Sequence, residues 1–213
     1  MADELTTELI TLKRTPYSET SWVVVGLSPE HGLLSFMYRG ARRVSKRQYS
    51  MIDVLQHVSV TCRRGRGDLL VWRSSELLTD YGGVAHDYPL YQSIGWLMRF
   101  LLLNVFAGVP QPAVFQTFQT VLKRLCAASG APTRQEGLGD AAVVVTCLAY
   151  LNENGLLPDF EEDPRTERQC QRLLLAGRGE NEFPTLSAET WQSVREWGVT
   201  LLHQTDCSVP GSR

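Results

Sequence analysis

The sequence predicts an α+β protein of two domains, a small five-stranded β-barrel followed by an all-α helical domain. Three observations carry that reading. Up to about Leu78, short runs of β-branched and aromatic residues alternate with polar ones between turn signals. From Tyr81 onward, apolar residues recur at spacings of three and four instead. The charge divides as well: residues 1–75 hold 11 Lys and Arg against 7 Asp and Glu, a net +4, which leaves −6 for the rest of a chain whose total is −2. The expected organisation is a basic module over residues 1–79 joined to an acidic one over residues 80–213.

The strands follow in order. Glu8 to Lys13 is the first, closed by Pro16, and Ser21 to Leu27 is the second, ended by Ser28-Pro29. His31-Gly32 turns into a third, in which Leu34, Phe36 and Tyr38 share one face at period two while Ser35 and Met37 share the other. Val58, Val60 and Cys62 alternate with His57, Ser59 and Thr61 in a fourth, and Gly65 with Gly67 makes a hairpin into a fifth, Leu69 to Arg73. Five strands in so short a segment leave exposed edges unless the sheet closes, which favours a barrel.

In the second half, Pro89 opens a helix whose Leu90, Ile94, Leu97, Met98, Leu101 and Leu102 form a stripe, and Gly108-Val109-Pro110 is expected to end it. A second helix spans Pro112 to Ala128. A third, near Asp140 to Asn154, is closed by Asn154-Gly155. The polar stretch Glu161 to Arg168 and the glycines that follow give no clear periodicity. Ser187 is an N-cap for a last helix carrying Trp191, Val194, Gly198, Leu201 and Leu202, and the tail SVPGSR is expected to fray.

Several function classes find no support. Hydrophobic content of 43% and charged content of 21% in 213 residues are those of a globular protein. The first ten residues, MADELTTELI, are acidic and lack a basic region leading into an apolar one, so a cytoplasmic protein is expected. The most apolar stretches, Ile94 to Val109 and Ala141 to Leu151, are too short or too interrupted by Arg99 and Asn104 to span roughly 30 Å of hydrocarbon. The five cysteines are odd in number and scattered, with no C-x-x-C, so neither a disulfide framework nor a metal site is expected. The four histidines are dispersed. No nucleophile elbow, phosphate loop or H-E-x-x-H occurs, and neither an enzyme nor a cofactor is expected. The adjacent carboxylates Glu161, Glu162 and Asp163 read as a solvated loop, and His86-Asp87 as a domain junction.

What remains is the distribution of cations. Arg39, Arg42, Arg43, Lys46 and Arg47 fall within nine residues just where the third strand ends, beside Gly40. Arg63, Arg64 and Arg66 surround the later hairpin, and Lys13-Arg14 sits at the end of the first strand. A bare charge run is usually a solvated loop, but three clusters converging on one rim would form a groove for a phosphate backbone. Of the aromatic residues in this half, Tyr17, Trp22, Phe36, Tyr38, Tyr49 and Trp72, most are required as core. Tyr49, beside Lys46 and Arg47, is the expected stacking residue, and Phe36 and Trp72 are expected to pack.

Lys13-Arg14-Thr15-Pro16-Tyr17-Ser18-Glu19-Thr20 and the apolar run after it, then Glu30-His31-Gly32, then Arg39-Gly40-Ala41-Arg42, resemble the opening of the RecO family. There a first strand ends in a turn with Y/W-x-E, and an acidic-x-Gly turn leads to a strand running into a G-A-R basic loop. Asn154-Gly155-Leu156-Leu157-Pro158-Asp159-Phe160 is similar to a further family segment, L-G-F-x-P-x-L. The resemblance implies an N-terminal OB-fold, DNA-binding through the cations named above, and no catalysis. It implies a mediator that binds single- and double-stranded DNA, anneals complementary strands, and acts with RecR to replace single-strand-binding protein by RecA at the nucleoid. It also implies that the helical domain receives the C-terminal tail of single-strand-binding protein, with Arg99, Lys123 and Arg124 as possible contacts. Many relatives carry a four-cysteine zinc site after the second segment; only Cys170 lies nearby here, so none is expected. The alternatives are an RNA-binding OB-fold module and a protein-interaction scaffold that binds no nucleic acid.

Overall fold

A computed structural model describes residues 4–39, 52–65, 67, 69–131, 135–160 and 163–211. Five strands, β1 (Glu4–Ser18), β2 (Ser21–Ser28), β3 (Gly32–Arg39), β4 (Gln56–Arg64) and β5 (Leu70–Asp80), precede five helices. The sheet closes in the order β1-β2-β3-β5-β4, with β4 returning to β1. All neighbours are antiparallel except β3 and β5, which meet in parallel over Phe36 opposite Leu70 and Met37 opposite Val71. This is the barrel expected from the strand pattern, in the strand order of the OB-fold that the resemblance implies.

The interior follows from the period-two faces. Phe36, Val58, Val60 and Cys62 are buried, and Trp72 meets Phe36 edge-on at 5.1 Å between ring centroids and Tyr38 at 5.5 Å. Such pairs add about 0.5–1.5 kcal/mol each to the burial of the rings. Two bounds differ from the sequence expectation. Pro16 does not close β1, because the strand continues to Ser18 and Pro16 stays opposite Trp22 next to a bulge, where a missing N–H is tolerated. β5 runs on to Asp80 because β4 supplies partners along its length, although Arg73 to Leu78 are exposed and carry no alternating signal.

Two turns fix the barrel's other end. Leu55, buried and left-handed at φ 62, is held by its own N–H donating to the Thr11 carbonyl (2.8 Å) and by the Tyr81 N–H donating to its carbonyl (3.0 Å). Gly32 has φ 63 and pairs with Ala107, while the Gly108 N–H donates to the His31 carbonyl (2.8 Å) and the Gln111 N–H to the Pro29 carbonyl (2.9 Å). Residues 105–111 therefore fold back on the strands. The chain forms two compact units, Met1–Gly82 with Val105–Gln111, and Gly83–Asn104 with Pro112–Arg213.

The second unit holds α1 (Tyr88–Asn104), α2 (Pro112–Ala128), α3 (Leu138–Glu153), α4 (Pro164–Arg178) and α5 (Ala188–Gln204). α1 stops at Asn104, short of the expected Gly108, because Val105 to Gln111 belong to the barrel. α3 is buried from Ala141 to Leu151 on every side, packed against α1, α2, α4 and α5, so its apolar run is core. Ser187 caps α5 by accepting from the Thr190 N–H (3.2 Å), as its position predicts.

Two further corrections concern polar sequence. The polar stretch Glu161 to Arg168, for which no helix was expected, enters α4 at Pro164. Asp163 is its N-cap, accepting from the N–H groups of Arg165 and Thr166 (3.2 Å each), Pro164 opens the first turn, and Gly179 ends the helix at φ 85. Glu161 and Glu162 lie outside the described residues. The tail is tied down rather than frayed as far as Gly211: Asn104 donates its side-chain amide to the Ser208 carbonyl and accepts from the Ser208 N–H (2.8 Å each), and the Trp96 indole donates to the Pro210 carbonyl (3.2 Å). Among the described residues no helix is long and apolar enough to cross a membrane.

Gly32→Ala is expected to destabilise the protein by more than about 1 kcal/mol in urea titration. An alanine must adopt φ 63, and its Cβ would collide with the carbonyl oxygens of Phe106 and Val109. A second expectation concerns pH. Hydrogen bonds from Thr166 and Arg165 hold the Asp163 carboxyl below its ordinary range. Its stabilisation is therefore present above the unfolded-state pKa and lost as pH falls through the folded one. The stability difference between wild type and Asp163→Ala should be full at neutral pH and vanish in acid.

Candidate nucleic-acid interface

The parallel meeting of β3 and β5 brings two of the basic clusters together. Arg63 stands opposite Val71 and Arg64 opposite Leu70, while Val71 and Leu70 pair with Met37 and Phe36. Arg39 lies two residues beyond Met37 at the end of β3. Gly65 lets the hairpin close, since a Cβ there would collide with the Leu69 carbonyl oxygen. A groove of about 610 Å³ results, lined by Tyr17, Met37, Arg39, Arg63, Arg64, Gly65, Leu69 and Val71.

Its electrostatics are one-sided. Arg39 and Arg64 are exposed and Arg63 half-buried. Among the described residues none of the three has an ion-pair partner within 4.0 Å, although Glu4 stands opposite Arg63 in register. The Arg63 Nε–H is buried and has no acceptor among the described residues. A buried guanidinium N–H left this way costs about 1–3 kcal/mol or more.

The other sequence candidates fall elsewhere. Arg42, Arg43, Lys46, Arg47, Tyr49 and Arg66 lie outside the described residues; the first five belong to the segment that follows Arg39 directly. Lys13 is exposed on β1 opposite Val25 and does not line the groove. Arg14 is occupied: it donates to the Ile52 carbonyl (2.7 Å), pairs with Asp53 (3.6 Å) and lies 4.4 Å above the Trp22 ring. It ties β1 to Ile52 and Asp53, just before β4. Arg99 and Lys123 are exposed on α1 and α2. Arg124 is engaged within its own unit, donating to the Asn181 carbonyl, 3.8 Å from Glu182 and 4.2 Å above Phe183. Tyr17, at 66% exposure, is the aromatic residue of the groove, and sequence reasoning favoured Tyr49 over it. The signal for Tyr17 was its position between Pro16 and Ser18, where the strand pattern breaks.

His57 is buried against Glu8 at 3.0 Å on the barrel wall. Burial pushes the Cys147 thiol up and that of Cys170 up to about 11, so both stay protonated and unreactive near neutrality. Among the described residues no three His, Cys, Asp or Glu side chains gather as a metal site requires.

Residues 1–81 match the family model described as Recombination protein O N terminal. Over 155 residues the chain is 26% identical to the DNA repair protein RecO of Thermodesulfovibrio yellowstonii, covering 73% of this chain and 59% of that one. It is 25% identical over 152 residues to the RecO of Exiguobacterium sibiricum, covering 71% and 57%, and 22% identical over 154 residues to that of Myxococcus xanthus, covering 72% and 60%. The matched stretch spans less than two thirds of each of these curated relatives. The family match covers the closed barrel that the strands build, the motif Glu30-His31-Gly32 falls on the turn into β3, and the relatives extend the likeness into the helices: the chain is similar to RecO proteins, over residues 1–81 to their N-terminal part.

Proposed function

We propose that this protein is a DNA repair and recombination mediator that binds single- and double-stranded DNA, anneals complementary strands and, with RecR, helps load RecA onto DNA covered by single-strand-binding protein. The observation that carries the reading is the groove in which Arg39, Arg63 and Arg64, without ion-pair partners among the described residues, converge, with the Arg42-to-Arg47 cations following Arg39 in the sequence. Annealing needs the repulsion between two phosphate backbones neutralised while the bases stay free, and a cationic surface with no base-edge readout does that. The action is binding and strand bridging, with no bond made or broken, in the cytoplasm at the nucleoid. In this reading residues 1–79 supply the DNA surface. Residues 80–213 supply the partner surface, where Arg99 and Lys123 are the exposed cations available to the acidic tail of single-strand-binding protein.

Fluorescence anisotropy of a labelled single strand across a salt series tests the reading. Two variants are compared with wild type after circular dichroism shows that all are folded: Arg39→Ala/Arg64→Ala, and Arg42→Glu/Arg43→Glu/Lys46→Glu. Wild-type binding should weaken with salt. The alanine variant should show a slope of log affinity against log salt shallower by about 1.4, two contacts at about 0.7 each, and the glutamate variant should lose binding. Absence of wild-type binding at low salt would overturn the reading in favour of a protein scaffold, and displacement by tRNA far more readily than by DNA would turn it toward RNA.

A further inference from the structure

Tyr17 is not used by the barrel it belongs to. Phe36, Tyr38 and Trp72 fill the interior, whereas Tyr17 is 66% exposed. Its placement comes from an irregularity in β1: Pro16 stands opposite Trp22 and Ser18 opposite Ser21, so Tyr17 is the one residue of the stretch with no partner in the β1–β2 register. Such a bulge breaks the strict alternation of faces and re-aims a side chain. Here the residue so re-aimed lines the groove with the three arginines.

The groove combines two chemistries. Met37, Leu69 and Val71 give it apolar lining that a phosphate would not choose and the face of a planar ring would. Arg39, Arg63 and Arg64 supply the cations. A polyanion with flat apolar faces spaced along it satisfies both. Duplex DNA buries those faces in its own stack, and single-stranded DNA offers them. We propose that Tyr17 is a stacking platform for a nucleobase of single-stranded DNA, with the adjoining phosphates held by Arg39, Arg63 and Arg64, so that this groove distinguishes single strands from duplex. The proposal rests on the DNA-binding reading above and adds to it a base-dependent contact.

The test compares wild type, Tyr17→Ala and Tyr17→Phe on three labelled ligands of equal length: oligothymidylate, the same backbone with abasic sites throughout, and a duplex. Tyr17→Ala should weaken binding of oligothymidylate by roughly 5- to 150-fold, the effect of removing one stacking platform. It should leave the abasic strand and the duplex within about twofold and the salt slope unchanged. Tyr17→Phe should bind as wild type does, because the ring and not the hydroxyl carries the contact. Equal wild-type affinity for oligothymidylate and the abasic strand would overturn the stacking role while the phosphate groove stands. A Tyr17→Phe variant as weak as Tyr17→Ala would also overturn it. Failure of wild type to bind any of the three would remove the DNA-binding reading and this proposal together.

Discussion

The arrangement of this protein's basic end depends on the shortest pairing in its sheet. β3 and β5 touch in parallel over Phe36 with Leu70 and Met37 with Val71, and that contact turns an open sheet into a closed barrel. Parallel pairing between strands this close in sequence needs an intervening excursion, which β4 and the segment before it provide. The contact is held from inside by Trp72 against Phe36 and Tyr38, so ring packing in the core sets which residues meet at the rim. Arg39 emerges two positions after Met37, and Arg63 and Arg64 lie opposite Val71 and Leu70, so the convergence of charge follows from closure.

The exceptions to regular strand geometry serve the same end. Leu12 and Tyr17 are the unpaired residues at the two register shifts of β1, one buried and one exposed. A long strand that curves around a small barrel must break its alternation somewhere, and each break can send a side chain to a new side. Arg14, between the two breaks, reaches the Ile52 carbonyl and Asp53, and its stacking on Trp22 adds about 0.5–1 kcal/mol. One cation of the N-terminal pair thus serves architecture.

Much of the fold was legible because burial imposes a period. Leu34, Phe36 and Tyr38, then Val58, Val60 and Cys62, were readable as inward faces, and α2 was readable to its terminal residues. α4 was harder, since its surface is polar and charged and its apolar stripe narrow, although the Asp163-Pro164 start and the Gly179 stop were both present in the sequence. The end of α1 was misplaced because Val105 to Gln111 are recruited by Gly32 and the Pro29 carbonyl, partners more than 70 residues away that no local pattern reveals. For the site, charge clustering in the sequence included Arg39, Arg63 and Arg64, which the fold brings to one groove. It could not separate Arg14, which is occupied, from Arg39 and Arg64, which are not, because pairing partners are set by register and not by neighbours in sequence.

α3 carries a consequence of a different kind. Buried from Ala141 to Leu151 and flanked by four helices, it has no face through which solvent reaches its amides while the unit stays folded. Its hydrogen exchange then requires cooperative opening of the whole helical unit, whereas the exposed second half of β5 exchanges through local fluctuation. The central amides of α3 therefore read out the global stability of the helical unit, and their protection reports on whatever binds its surface, even at a site they do not touch.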